Sequence, residues 1–382
     1  MKIPLAWLQL TREKIRLLIA LAGISFADIL MFMQLGFQDA LFQSSVVLHE
    51  RFKGEIFLVS PQSTALIAMD QFSQRRLYQA LAVEGVRSVH PVYLDFVIWK
   101  NPVSAEPRGI MVLGLNPADD ILDIAGLQEN IDRVKLEDVV LFDELSRPEF
   151  GPVGELFREG EEVTTEAGGR QLKVGGLFSL GASFGADGNI FTSDVNFLRL
   201  FAGREKGLLD VGVIRLEPDA NLELILEKLK QTIPNDVKIL SKQEFIDFEK
   251  NYWKNSTAIG FIFTLGTGMG FIVGTVIVYQ ILYTDVSDHL PEYATLKAMG
   301  YTDVYLLIVV LQEAIILAFV GYLPGFAIAN VLYLLTANAT SLPLAMSVEK
   351  AVTVLILTII MCFSSGAIAV RKLSAADPAD IF

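Results

Sequence analysis

Residues His49-Glu50-Arg51-Phe52-Lys53 open like H-E-x-x-H, the helical pair of histidines that holds zinc in metalloproteases. Lys53 stands where the second ligand would be, so the pattern forms no zinc pair. Gly181-Ala182-Ser183-Phe184-Gly185 matches G-x-S-x-G, which in a hydrolase needs a strand before it, a helix after it and a downstream histidine. Ala186-Asp187-Gly188-Asn189 follows as a turn, and the one downstream histidine is His289. No G-x-x-x-x-G-K-[ST] occurs, so the chain has no P-loop of its own for ATP. Catalytic and metal-binding readings therefore fail, and no cofactor is expected. Two acids remain, Asp28 and Glu313, each inside a long apolar run. Ionisable groups there are costly and face protein or water.

Composition explains why the chemistry is sparse. Of the 382 residues 52% are hydrophobic and 20% charged, against about a quarter charged in ordinary soluble domains. The charge is uneven: 33 of the 44 acidic and 23 of the 31 basic residues lie between positions 43 and 255. A charged domain is thus enclosed by membrane-length runs, which excludes a soluble enzyme. The single cysteine, Cys362, excludes a disulfide scaffold. A net charge of −13 argues against nucleic acid as a partner.

Four runs are long enough to cross a bilayer, which takes about 20 apolar residues. They begin near Leu17, Ser256, Val304 and Ala351. The expected order is an interfacial amphipathic helix (1–16), span 1 and a stalk (17–42), an outer domain (43–255), span 2 (256–283), an inner loop (284–303), span 3 with an outer extension (304–336), an outer loop (337–350), span 4 (351–370) and a tail (371–382). Ile3, Leu5, Trp7, Leu8 and Leu10 beside Lys2 and Arg12 suit a membrane interface. The first run is longer than the core of a signal peptide and no A-x-A site follows it, so a retained anchor fits better. Lys2, Arg12, Lys14 and Arg16 before span 1, and Arg371 and Lys372 after span 4, place both termini in the cytoplasm. The 284–303 loop, with Asp285, Asp288, Glu292 and Asp303 against Lys297, gives that rule no support.

The outer domain reads as mixed α/β. Glu55–Ser60 is strand-like, Ser73 is placed to cap a helix running to Val83, and Val86–Trp99 reads as extended. A like unit comes late: strand Val211–Leu216, helix Asn221–Thr232, strand Val237–Leu240. A capping box at Ser241 and Glu244 then opens a helix to about Trp253. Between them lies a glycine-rich, β-like insert that includes Arg170–Phe178. The expected fold class is an α-helical membrane protein with four transmembrane helices plus a mixed α/β extracytoplasmic domain, two αβ units flanking a β-rich insert.

Within the spans, Gly266, Gly270 and Gly274 recur on one helix face, where glycine lets two backbones touch. This is read as a helix-packing or dimer face. Asp28 and Glu313 lie about 14–17 Å from the inner side at 1.5 Å per residue, so they are either hydrogen-bonded neighbours or separate polar points. Between spans 2 and 3, Pro291 to Gly300 has proline at the start and glycine at the end of a short helix. Tyr293, Leu296 and Met299 stripe it. Such a helix either lies on the membrane or docks into a partner.

Glu292–Gly300 (E-Y-A-T-L-K-A-M-G) resembles the cytoplasmic coupling segment of FtsX/MacB-type ABC permeases, and Glu313-Ala314-Ile315 through Gly321 and Gly325 is similar to that family's E-A…G-x-x-x-G run. Asp377-Pro378-Ala379 and the order of parts agree with it. Pro291 and Tyr293 depart from the common pattern. Outside the membrane, Ser60–Ala65 and Phe72–Gln79 resemble the DevC group, permeases of cyanobacterial heterocyst development. The resemblance implies a non-catalytic, homodimeric permease subunit of an ABC exporter in the bacterial inner membrane. It implies a separate DevA-like ATPase that binds ATP and docks on Glu292, Tyr293, Leu296, Lys297, Met299 and Gly300. It also implies a DevB-like periplasmic adaptor, a TolC-like outer-membrane duct, and mechanotransmission of ATPase motion to the outer domain. Glycolipid is the cargo it suggests. The alternative is an FtsX-like regulator that passes ATPase motion to a periplasmic partner without transport.

Overall fold

The computed structural model describes residue 12, residues 14–340 and residues 342–375. The expected interfacial helix at 1–16, apart from residues 12 and 14–16, and the Asp377–Ala379 motif lie outside the described residues. The chain divides into two compact units, residues 41–257 and residues 1–40 with 258–382.

The second of these is built on four helices long and apolar enough to span a membrane. They are span 1 (Lys14–Ser45), span 2 (Ala258–Asp288), span 3 (Asp303–Thr340) and span 4 (Val348–Ala375). Span 3, at 38 residues, extends about 57 Å against a hydrocarbon core of about 30 Å. It carries Pro324 in its interior, which a span tolerates when neighbours re-satisfy the freed backbone groups. A short helix, Leu290–Ala298, lies between spans 2 and 3.

The 41–257 unit is a nine-stranded sheet with helices around it. Its strands in chain order are β1 (Ile56–Val59), β2 (Phe72–Ser73), β3 (Val86–Lys100), β4 (Pro107–Leu115), β5 (Val139–Asp143), β6 (Thr164–Ala167), β7 (Arg170–Phe178), β8 (Asn189–Ser193), β9 (Leu208–Leu209), β10 (Val211–Leu216) and β11 (Lys238–Ser241). The sheet order is β11-β1-β10-β3-β4-β8-β5-β7-β6, with β2 and β9 forming a separate pair. The two expected αβ units interleave: β1 pairs antiparallel with both β10 and β11, and β10 with β3. The insert is no separate layer. It continues the same sheet through the long β3–β4 ladder from Val92↔Leu115 to Lys100↔Pro107.

Side-chain alternation puts a core on each face. Ile56 and Leu58 point into one cluster, with Trp99, Ile110, Phe142, Phe197 and Ile214. Phe57 and Val59 point into the other, with Phe52, Leu113, Phe191, Val213 and Phe245. A strand buried on both faces needs the unbroken apolar run that β1 has. Ser73 meets the start of the helix after it only weakly, its Oγ accepting from Arg75 N at 3.4 Å. It closes β2, and the helix Arg75–Leu81 starts from Gln74 without a side-chain cap. The capping box is present: Ser241 Oγ accepts from Glu244 N while Glu244 accepts from Ser241 N. The helix it opens, Lys242–Asn251, gives way to a π-helical turn, Tyr252–Ser256, before span 2. Single π turns mark strained or functional joints in helices.

Candidate functional site

The Leu290–Ala298 helix is bounded as its residue types require. Pro291 sits in the first turn, where the missing N–H costs nothing. At the other end Gly300 adopts φ +95°, a conformation open to glycine without strain. Tyr301 N donates to Leu296 O at 3.1 Å and Gly300 N to Lys297 O at 2.9 Å, the two bonds of a Schellman cap.

The stripe of apolar residues does not all face outward. Tyr293 is 1% exposed, in a cluster with Val286 of span 2, Val310 of span 3 and Val370 of span 4. Leu290 and Leu296 pack against that cluster, and Lys297 is half-buried. Tyr293 and Leu296 therefore anchor the helix to its own bundle rather than offering a free surface. A nine-residue helix has apolar groups enough for one face, and the ends of three spans take it. Glu292 (side chain 55% exposed), Met299 (63%) and Gly300 remain open, and Tyr301 (45%) extends that surface.

The glycine row packs inside the chain. A Cβ at Gly270 would meet Met31 and Leu30 of span 1. At Gly274 it would strike Ala27 of span 1 and Met361 of span 4, and at Gly266 the side chain of Gln34. The helix-packing reading of this row fits these contacts: the glycines let span 2 approach spans 1 and 4 of the same chain. Gly268 has nothing within 4 Å. A second row, Gly321 and Gly325 of span 3, holds span 1. Ser25 Oγ donates to Gly321 O at 2.9 Å, and a Cβ at Gly325 would lie 3.2 Å from the backbone of Ser25.

Asp28 and Glu313 are both fully buried, but they have different partners. Thr358 Oγ1 of span 4 bonds Asp28 Oδ1 at 2.6 Å and also reaches Val354 O at 2.8 Å. Glu313 interacts instead with Asp285 near the end of span 2. Of the two readings, separate polar points is the one that the structure fits, because equal depth along an axis does not set which face of a helix a side chain occupies. Neither Thr358 nor Asp285 stood out in the sequence. Threonines are ordinary in spans, and Asp285 read as part of a polar loop, whereas span 2 continues to Asp288.

These contacts order a set of variants. Asp28→Asn keeps a hydrogen-bonding partner for Thr358 and should melt close to the parent protein in detergent. Asp28→Leu should cost about 1–3 kcal/mol. Asp28→Leu combined with Thr358→Val should depart from additivity by about 0.5–3 kcal/mol, and Asp28→Leu with Glu313→Leu should add. The opposite pattern would restore the Asp28–Glu313 pairing.

In the outer domain, the G-x-S-x-G segment is a supported turn. Buried Asp143 accepts from Leu145 N (3.1 Å), Leu180 N (3.0 Å), Gly181 N (2.9 Å) and Asn189 Nδ2 (2.8 Å). Burial still pushes its carboxyl above the usual range, against the pull of those donors. Ser183 Oγ accepts from Ala186 N at 3.1 Å and so braces the same turn. His49 is wholly buried on Phe245, with ring centroids 4.4 Å apart, and its Nε2 lies 3.6 Å from Glu249 Oε2. Two ionisable groups thus meet where the chain enters and leaves the domain. The broken H-E-x-x-H pattern had drawn notice to His49, but nothing in the sequence pointed to Glu249.

Comparison with known proteins bears on both halves. No curated protein matches the chain. The outer domain is similar to the periplasmic region of MacB from Actinobacillus actinomycetemcomitans, at 14% identity and a TM-score of 0.35, covering 54% of this chain and 95% of that one. It is also similar to the extracellular domain of the noncanonic ABC-type transporter YknZ from Gram-positive bacteria, at 14% identity and 0.32, covering 49% and 100%. A domain of a putative permease protein from Porphyromonas gingivalis matches at 14% identity and 0.29, covering 50% and 89%. Residues 257–378 match the FtsX-like permease C-terminal family, and this stretch contains spans 2, 3 and 4 together with the Leu290–Ala298 helix. The chain thus carries an FtsX-like permease domain over its last third, preceded by a span and a mixed α/β domain.

Proposed function

We propose that this protein is the non-catalytic membrane subunit of an ABC transporter, lodged in a bacterial inner membrane with both termini in the cytoplasm. One observation carries the reading: within the FtsX-like region, a short capped helix is locked to three spans by Tyr293 while Glu292, Met299 and Gly300 stay open. A rigid, anchored helix with one exposed face is suited to receive force from a docked subunit and pass it to the spans. That subunit is an ATPase of the DevA kind, and ATP binds there.

The finer reading follows the DevC-like segments Ser60–Ala65 and Phe72–Gln79. Two copies of the chain drive export with a DevB-like adaptor and a TolC-like duct, the outer domains move by mechanotransmission, and the cargo is glycolipid. The spans support a mechanical role, since their buried polar groups are few and packed against other spans: Asp28 accepts from Thr358 of span 4, and Glu313 of span 3 lies beside Asp285 of span 2.

Met299→Asp tests the docking face. It places a charge on an exposed apolar side chain without touching the Tyr293 anchor. Co-purification of the ATPase subunit with the variant should fall about tenfold, and stimulation of its ATPase activity should fall with it, as for truncation of an interface anchor. Retention of the ATPase at the parent level would exclude this helix as the docking element.

A further inference from the structure

Span 1 packs on spans 2 and 4 through Leu17, Ala20 and Leu21, but no described residue of span 1 joins the cluster that holds the coupling helix, which span 1 approaches by charge. The cluster that anchors Tyr293 draws Val286, Val310 and Val370 from spans 2, 3 and 4. At the same end of the unit, Arg16 of span 1 donates through Nη2 to Asp288 Oδ2 at 2.5 Å, and its Nη1 lies 3.7 Å from Asp285 Oδ1. The Arg16 side chain is 28% exposed and the Asp285 side chain 8%, so the contact with Asp285 is shielded. Asp285 also faces Glu313 of span 3, and His289 Nδ1 lies 3.6 Å from its Oδ1. Arg12, one turn before Arg16, lies 3.5 Å from Glu292, but that pair is open to solvent and contributes little.

The position of these acids gives the contact its meaning. Span 2 ends at Asp288, the coupling helix starts at Leu290, and His289 alone separates them. Backbone bonds bridge the joint, His289 N to Asp285 O at 3.1 Å and Tyr293 N to His289 O at 3.0 Å, so a displacement of the coupling helix is carried into the last turn of span 2. Arg16 grips the last turn of span 2 on the near side of that joint.

We infer that Arg16 is a positioning residue: it latches span 1 to the Asp285–Asp288 turn, so that movement of the coupling helix is delivered to span 1 and along it toward the outer domain. This rests on the reading of Leu290–Ala298 as the ATPase contact. An arginine suits the task because its planar fork holds two carboxylates at once, which a lysine does with less definition. The carboxylates gain a partner that offsets their mutual repulsion.

The test uses the full chain with its ATPase subunit in nanodiscs, in a Cys362→Ser background with a fluorophore on Val103→Cys, an exposed position of the outer domain. Arg16→Gln should leave ATPase co-purification within about twofold of the parent and cut the nucleotide-dependent probe response about fivefold, a size usual for couplings between sites. Arg16→Lys should retain an intermediate response. Arg16→Asp with Asp288→Arg should restore at least half of it, which a merely structural loss would not. A parent-level response from Arg16→Gln would overturn the latch. So would a charge-exchange variant that inserts and binds the ATPase yet responds no better than Arg16→Gln. Failure of the docking reading shows separately, as a Met299→Asp protein that keeps its ATPase whatever Arg16 does.

Discussion

Gly325→Val should destabilise the membrane unit by about 3 kcal/mol or more, at or above the upper end of overpacking costs in a close-packed core. The added Cβ alone would stand 3.0 Å from Asp28 Cβ and 3.2 Å from Ser25 Cα and Ser25 O. Two of those atoms are backbone, so relief requires span 1 to move as a whole. Spans associate through close packing because lipid supplies no hydrophobic drive between them, and small residues make that packing possible. Moving span 1 away from Gly325 also stretches the Ser25–Gly321 hydrogen bond of 2.9 Å and disturbs Asp28 in its contact with Thr358. The control is Gly268→Val, where a Cβ meets nothing within 4 Å. Thermal unfolding in detergent should separate the two variants clearly. Equal melting would mean that spans 1 and 3 do not pack through this glycine.

The second large effect concerns Glu249 in the outer domain. Its Oε2 accepts from Leu66 N at 2.7 Å and its Oε1 from Trp253 Nε1 at 2.8 Å, so one side chain ties the 60–71 loop to the π-helical turn. Glu249→Ala would strand both donors in a dry site and should cost about 3–5 kcal/mol, adding a lost side chain to two unmet hydrogen bonds. The pH dependence is distinctive. Burial raises Glu249 to about 7 from 4.5 and lowers His49 to about 3 from 6.5.

Between pH 4.5 and 6.5 the folded pair holds one proton, on Glu249, and the unfolded pair also holds one, on His49. Stability from this pair is therefore flat across that window. Below pH 4.5 the unfolded chain takes up a second proton while buried His49 does not, and stability falls until about pH 3. Above 6.5 the folded pair still holds a proton that the unfolded chain has lost, and stability falls slightly up to pH 7. Glu249→Gln removes the glutamate contribution and leaves the histidine's. The plateau should become a rise of about 1.4 kcal/mol per pH unit between pH 4.5 and 6.5. Urea unfolding followed by tryptophan fluorescence at several pH values measures this directly. A flat profile in Glu249→Gln would mean that His49 keeps its proton in the folded chain across that window.

Several features of this protein are decided locally, and those are legible in the residues themselves. A run of apolar residues long enough to cross a bilayer needs no tertiary partner to be recognised, since hydrocarbon rather than protein is its solvent, and four such helices are present among the described residues. The capping box at Ser241 and Glu244 is closed within four residues. Pro291 and Gly300 bound the coupling helix because backbone sterics act on single residues. The unbroken apolar run of β1 predicts a strand, and its burial on both faces follows from having no polar residue on either.

What the residues could not disclose is which surfaces meet. Gly266, Gly270 and Gly274 mark a face made for close approach, but a glycine row does not name its partner, and the fold supplies spans 1 and 4 of the same chain. Tyr293 reads the same in a helix that docks outward and in one that anchors inward. Only the packed ends of three spans bury it. Asp28 and Glu313 share a depth, yet the rotation of each helix turns one toward Thr358 and the other toward Asp285. His49 and Glu249, 200 residues apart, are neighbours solely because β1 pairs with β10 and β11 and brings the two ends of the domain together. Local preference acts over a few residues through sterics and capping. Partnership between distant residues is settled by how whole faces pack, and that is a property of the folded chain.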